Sequence, residues 1–414
     1  MGRRAREAAL GAPAPPSALS AAEGPGDAAR EAARAGLYVH VPFCARRCSY
    51  CDFASGVFSA AAAERWLAAL EREAALRAPA AAGLVLTSVF FGGGTPSTLS
   101  PRHVARVARA LRAAFTIAPD AEITLEANPE SVEPRRLGAW RAAGVDRLSL
   151  GAQSFHADEL ARLGRIHPPG RPGEAFALAR AQGFRRLSLD LMYGFPGQRA
   201  ERWRETLERA LALEPEHLSA YAFTAEPGTP LGDAVLSGRE CVPGDDEQAE
   251  AYETLLAGAA RAGLGPYETS NLCRPGAEAR HNLVYWLRRP YVGLGPSAHG
   301  LLAGERYGNH RSLDAWAAAL ERGAAPESER EKPEADSRAR EVMLLGLRLT
   351  TGVRAADHEP GVWRETMARY GAALEEAVVT GRLVRREAGF ALPRELRFVA
   401  DEVIAWIEVR ASAP

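Results

Sequence analysis

The sequence predicts an α/β protein with a small α+β unit at its C-terminus. Three observations carry that expectation. Six short runs rich in aliphatic and β-branched residues alternate with helical segments, the rhythm of parallel strands joined by crossover helices. Polar and glycine-rich residues fall just after those runs, where open sheets and barrels of this class both place their chemistry. Beyond a charged, proline-punctuated stretch at 324–336 the pattern changes to helix, helix, hairpin, helix. Periodicity alone does not decide between an open doubly wound sheet and a barrel.

Residues 1–35 are rich in Ala, Gly and Pro with few large apolar side chains to bury, so a disordered extension is expected there. Leu37 to Val41 reads as the first strand and 59–77 as a helix with Trp66, Leu67 and Leu70 on one face. Val85 to Phe91 reads as a buried strand running into Gly92-Gly93-Gly94. Ser100 is placed to cap a helix opened by Pro101. Ile123 to Glu126 is the third strand, 134–143 a helix, and Leu148 to Leu150 the fourth strand. Helical stretches at 157–163 and 171–182 lead to a strand over Leu187 to Met192. A helix over 200–213 leads to the sixth strand, His217 to Phe223, and 245–263 is a long helix. These elements define a core over 36–265. The rhythm breaks in 266–323, which is expected to close the core. Residues 324–336 are expected to be a linker, and 337–414 a winged-helix-like domain.

Basic and acidic residues number 51 and 52 in 414, so no electrostatic case for nucleic acid exists. Among the basic residues only Lys332 is not Arg. There is no run of 18 apolar residues, so no membrane span is expected, and any membrane contact would be peripheral. Five cysteines do not make a disulfide scaffold. Their clustering suits a reducing compartment, and without a signal-peptide core the cytoplasm is the expected location.

Cys44, Cys48 and Cys51 stand at C-x3-C-x2-C, a spacing that lets one short loop aim three thiolates together. Three thiolates can each hold one iron of a cubane cluster and leave the fourth iron open to an outside molecule. Zinc is the rival reading, but no fourth ligand follows at a usual spacing, since Cys241 and Cys273 are single and distant. Inert thiols are the third reading.

Tyr50 before the last cysteine and Gly92-Gly93-Gly94-Thr95-Pro96 after the second strand complete a pattern that resembles the radical S-adenosylmethionine (SAM) superfamily. The wider set runs from Tyr38-Val39-His40-Val41-Pro42-Phe43 through Glu126-Ala127-Asn128-Pro129, Gln153 and Asp190 to Gly194. It resembles oxygen-independent coproporphyrinogen III oxidases and the related HemW-type haem chaperones. The resemblance implies a partial (β/α)6 radical-SAM barrel holding a 4Fe-4S cluster and SAM, reduced by an electron donor. The cluster would be ligated by Cys44, Cys48 and Cys51, and its electron would cleave the SAM sulfonium. Gly93, Gly94 and Thr95 would meet the SAM amino group. Tyr38, Tyr50, Glu126, Gln153, Arg165 and Asp190 match other SAM-site positions.

Two features separate the relatives. The oxidases carry a fourth cysteine where this chain has Phe53. The chaperones carry an H-N-x-x-Y-W motif, present here as His281, Asn282, Tyr285 and Trp286. Both favour a haem chaperone that passes haem to an apo-haemoprotein acceptor, with the decarboxylating oxidase as the alternative. His281 would then be the haem ligand. Its other reading is an ordinary buried histidine in an aromatic cluster, and His299 is an alternative ligand.

Overall fold

The computed structural model describes residues 34–412 apart from Glu387. The expectation for 1–35 therefore lies outside the described residues, except that Arg34 and Ala35 open the first strand. The expected rhythm is present. β1 (Arg34–Val41), β2 (Val85–Gly93), β3 (Ile117–Ala127), β4 (Arg147–Gln153), β5 (Arg186–Tyr193) and β6 (His217–Ala222) pair in chain order, all parallel. Helices join them. Ser100 caps Pro101–Ala114 as its sequence predicts, accepting from the His103 amide while the His103 ring takes the Ser100 amide.

The sheet is wider than six strands. β7 (Gly265–Pro266) and β8 (Asn271–Cys273) extend it beyond β6. On the other side β9 (Tyr291–Leu294) pairs parallel with β1, and β10 (His299–Leu302), β11 (Glu305–Asn309) and β12 (Glu327–Glu331) follow antiparallel. The result is one mixed sheet of twelve strands in the order β12-β11-β10-β9-β1-β2-β3-β4-β5-β6-β8-β7. Residues 266–323 thus add strands to both edges.

The expected linker at 324–336 is corrected by β12. Its Glu-Ser-Glu-Arg-Glu run is polar because it is an edge strand, and its charges are answered across the ladder. Arg330 pairs with Glu305, and Glu331 with Arg306. Charged edges of this kind resist pairing with a second sheet.

The C-terminal unit contains helices Ala335–Gly346, Pro360–Val379 and Ala400–Ala411 around a three-stranded sheet. It has its own apolar core, with Met343, Leu347, Leu374 and Ile407 fully buried. It also packs on the rest: Phe398 lies against Tyr252 and Glu268 bridges to Leu349.

Side chains alternate across the strands. One face of β1 to β6 packs against helices through Leu37, Val39, Leu125, Leu148, Leu150, Leu187, Leu189 and Leu218. The opposite face is polar. Toward the strands' N-terminal ends its residues are sealed: Ser88, Glu122, Arg147 and His217 are each at most 2 % exposed. Arg147 donates to Glu122 at 3.0 Å and to the carbonyls of Ala277 and Glu278. Among the described residues no helix is long and apolar enough to cross a membrane.

Candidate functional site

The cysteine loop leaves the C-terminal end of β1 and is stitched on two sides. Phe43–Cys44 pairs with Gly56–Val57, and the glycine loop after β2 closes over the same residues. Gly94 donates to the Val41 carbonyl and Thr95 to the Phe43 carbonyl, at 2.8 and 2.7 Å. Sterics demand these glycines. A Cβ on Gly94 would lie 2.7 Å from the Phe43 oxygen. Gly93 has φ 106°, and a Cβ there would lie 2.6 Å from the His40 ring.

On the far side Ser49 donates from its amide to the Leu163 carbonyl and from its hydroxyl to the Arg162 carbonyl. Arg165 follows directly. It donates to the Gly151 carbonyl at 2.6 Å, to Asn128 at 2.7 Å and to the Cys48 sulfur at 3.6 Å. Thr95 donates to the Cys44 sulfur at 3.5 Å. Tyr50 packs beside Leu163, Met192 and Phe195. Burial, opposed by the Phe53 amide and reinforced by Cys48 and Cys44, pushes the Cys51 thiol up to about 11. Three crowded thiolates with polar donors on two of the sulfurs fit a cationic iron cluster, which would stabilise the charge. Among the described residues no three His, Cys, Asp or Glu side chains converge on a point that would hold one ion. Cubane thiolates bind three different irons, so they have no need to converge in that way.

Beside the loop stand two carboxyls of the polar face, Glu126 on β3 and Asp190 on β5, with β4 between them. Glu126 receives the Gly93 amide, and burial, then the charge of Asp190, push it up to about 8. Asp190 is raised by burial and accepts from Ser149 at 2.8 and 3.0 Å. Among the described residues neither forms an ion pair. Two enclosed carboxyls outside any ion pair, with only the charge of Arg165 acting on Asp190, suit a ligand that brings a cation, as the ammonium and sulfonium of SAM would. Gln153 ends β4 with φ 63°, which turns the strand end next to Arg165.

Tyr38 gives its hydroxyl to His40 Nδ1 at 3.0 Å, while His40 Nε2 meets the Ala54 carbonyl at 2.9 Å. A carbonyl only accepts, so Nε2 carries the proton and Tyr38 donates. His40 thereby ties β1 to the chain just past Cys51, and its ring supports Gly93. Sequence reasoning missed it. The signal was its spacing of two from Tyr38, which puts both on one face of β1.

The H-N-x-x-Y-W residues lie elsewhere. Helix Arg280–Trp286 covers the sealed end of the polar face. His281 is 1 % exposed. Its Nδ1 meets Ser88 at 2.9 Å, its Nε2 meets Tyr285 at 2.8 Å, and its ring stacks on Phe90. Burial pushes it down to about 3, so it is neutral. Ser88 and Phe90 pair in register with Gly36 and Tyr38, five and three residues before Val41, so the His281 ring lies roughly 10–17 Å down the strand from its cysteine end. Asn282 donates to Tyr267, which also meets His217. Trp286 is half-buried. The structure therefore gathers the cysteines, Tyr38, Gly93, Gly94, Thr95, Glu126, Gln153, Arg165 and Asp190 at one end of the sheet. It sets His281, Asn282 and Trp286 apart. The two groups still touch: the His281 ring stacks on Tyr38 with centroids 6.5 Å apart, and Tyr285 lines a cavity of about 330 Å3 together with Tyr38, Gly93, Phe53 and His299.

The C-terminal ends of parallel strands, where these polar groups gather, are where α/β folds place their chemistry. The radical SAM superfamily model matches residues 38–210. The heme chaperone HemW of Mycobacterium tuberculosis is 38% identical over 376 residues, covering 89% of this chain and 93% of that one. HemW of Bacillus subtilis is 31% identical, covering 88% and 97%. The solved coproporphyrinogen III oxidase HemN of Escherichia coli superposes with a TM-score of 0.78 at 23% identity, covering 93% of both chains. The chain belongs to the radical SAM superfamily, in the family of HemW and its HemN-type relatives.

Proposed function

We propose that this chain is a radical SAM protein of haem and porphyrin chemistry, built on a partial (β/α)6 barrel with a winged-helix-like C-terminal domain. The observation that carries the reading is the joint site: three cysteines, a glycine cradle and two unpaired carboxyls at one end of the sheet. When bound, a 4Fe-4S cluster supplies one electron to the sulfonium of SAM. The chain's own residues do the rest. Cys44, Cys48 and Cys51 would hold the cluster, with Thr95 and Arg165 donating to two of the sulfurs. Glu126 and Asp190 would receive the positive charge of SAM, and Tyr38 and Gly93 would shape the wall between SAM and the cavity.

Two specific activities fall within this reading. The site supports the enzyme, an oxygen-independent coproporphyrinogen III oxidase, through a cofactor face that opens into a cavity. It gives less support to haem ligation at His281, whose two ring nitrogens are engaged. The chaperone reading, haem binding and delivery to an apo-haemoprotein, is supported by the relatives' names and by Phe53. The test is an anaerobic assay of reconstituted, reduced protein with SAM and coproporphyrinogen, run beside a haem titration. Protoporphyrinogen formed over many turnovers establishes the oxidase. Stoichiometric haem binding without turnover, followed by transfer to an apo-haemoprotein, establishes the chaperone. Cys44→Ser should lose the cluster's iron and sulfide and any SAM cleavage; full retention of both would defeat the reading.

A further inference from the structure

We propose that the exposed rim of the cysteine loop is a docking surface for an acidic one-electron carrier protein, with Arg46 and Arg47 as its charged contacts. This rests on the radical SAM reading above and names the partner that reading requires. Arg46 and Arg47 stand between Cys44 and Cys48, so both belong to the loop that would hold the cluster. Both are exposed, and among the described residues neither enters an ion pair or a hydrogen bond. Arg162 beside the loop is different, since it is spent on Glu240 at 2.9 Å.

Apolar side chains ring the same loop. Val57 points outward although its backbone pairs with Cys44. Ile166 follows Arg165, the donor to the Cys48 sulfur. Phe53 lies two residues past Cys51. Leu236 ends helix Pro230–Leu236, which is tied to the loop by the Leu231 amide on the Ser49 carbonyl at 2.8 Å. These four are between 48% and 69% exposed, and they are half of the eight large apolar side chains that stand exposed among the described residues. Such residues scattered singly are ordinary, whereas four around one loop mark an interaction surface.

In the proposed function the cluster's electron comes from outside the chain. Electron tunnelling falls off steeply with distance, so the donor must touch the chain beside the cluster. Two unanswered positive charges there steer an acidic surface inward, and the apolar ring gives a brief contact something to bury. Redox encounters of this kind bury less than about 1,200 Å2. On contact the carrier gives up one electron and the cluster takes it; no bond forms or breaks. An anionic membrane also suits arginines beside apolar residues, but it would cover the loop where the electron has to enter.

The test follows cluster reduction in the full-length reconstituted chain by anaerobic stopped flow, with two reductants. Reduced flavodoxin, an acidic flavin protein, probes the surface; dithionite is small enough to need no docking. Arg46→Glu with Arg47→Glu should slow reduction by flavodoxin about tenfold or more at low salt, and by dithionite less than about threefold. Raising the salt should slow the wild type and close that gap. Val57→Ser with Ile166→Ser should weaken flavodoxin binding to the oxidised protein about threefold or more, with iron and sulfide content unchanged. Equal slowing with both reductants overturns the proposal, because the change then lies in the loop itself. So does an unchanged flavodoxin rate in the arginine variant, or a wild type that takes electrons from dithionite and none from flavodoxin. Binding to vesicles of anionic lipid that depends on the two arginines, with flavodoxin rates unmoved, overturns it in favour of a membrane. A wild type that loads no iron and sulfide overturns the radical SAM reading itself, and the docking surface falls with it.

Discussion

Residues at the mouth of the sheet are under tight steric and electrostatic constraint. Gly94→Ala would drive a methyl group into the Phe43 backbone, with 2.7 Å to its oxygen and 2.9 Å to its nitrogen. Backbone has no way to swing aside as a side chain would, so the cysteine loop must shift. The expected outcome is loss of cluster loading in a folded protein, read as iron and sulfide per chain beside circular dichroism. Glu126 makes a prediction in pH. Its folded value near 8 lies above the ordinary 4.5. The folded state therefore holds a proton that the unfolded state has released, and stability declines as pH rises from about 4.5 to 8. Glu126→Gln should flatten that decline in the cofactor-free protein and raise stability at pH 8 by on the order of 2 kcal/mol, measured by denaturant unfolding. In the same variant SAM affinity should fall and lose its rise with pH, since the anion that would meet the ligand's positive charge is gone.

Helix Arg280–Trp286 and the strand ends beneath it act as a floor. Ser88, His281 and Tyr285 form one buried relay, and Ser188, His217 and Tyr267 form another. The Glu122–Arg147 pair lies between them with both side chains at most 2% exposed. Removing one partner of such a pair leaves a stranded charge, so Arg147→Ala should cost about 3–5 kcal/mol, and Glu122→Leu with Arg147→Met together much less. Equilibrium unfolding of the single and double variants checks this. On the helical side, Trp66 is fully buried and donates to the His40 carbonyl. Trp66→Ala should cost about 3–5 kcal/mol and loosen the strand that carries Tyr38.

Across the whole molecule, the sequence made legible whatever rests on local chemistry. Alternating aliphatic runs marked β1 to β6, and Ser100 and Pro101 marked a helix start. The thiol spacing and the glycine triplet marked the mouth of the sheet. What escaped depends on distant partners. β12 looked like a linker because its Glu331 and Arg330 find Arg306 and Glu305 only once β11 lies alongside. His281 looked like an open ligand because Ser88, almost 200 positions earlier, occupies its Nδ1 only in the fold. Tertiary pairing also binds the C-terminal unit to the rest. Deleting 335–412 would bare Tyr252 and remove the partner of Glu268, so the remaining chain should lose solubility and cooperative melting, as light scattering and calorimetry would report.

The sealed floor has a consequence for traffic. With Ser88, Glu122, Arg147, His217 and His281 shut off from solvent, the polar face has no back door. The way in lies at the other end, where the cavity beside Gly93 is found. In the proposed function a carrier receiving cargo and a reductant feeding the cluster would both use that end, and each visit would delay the other.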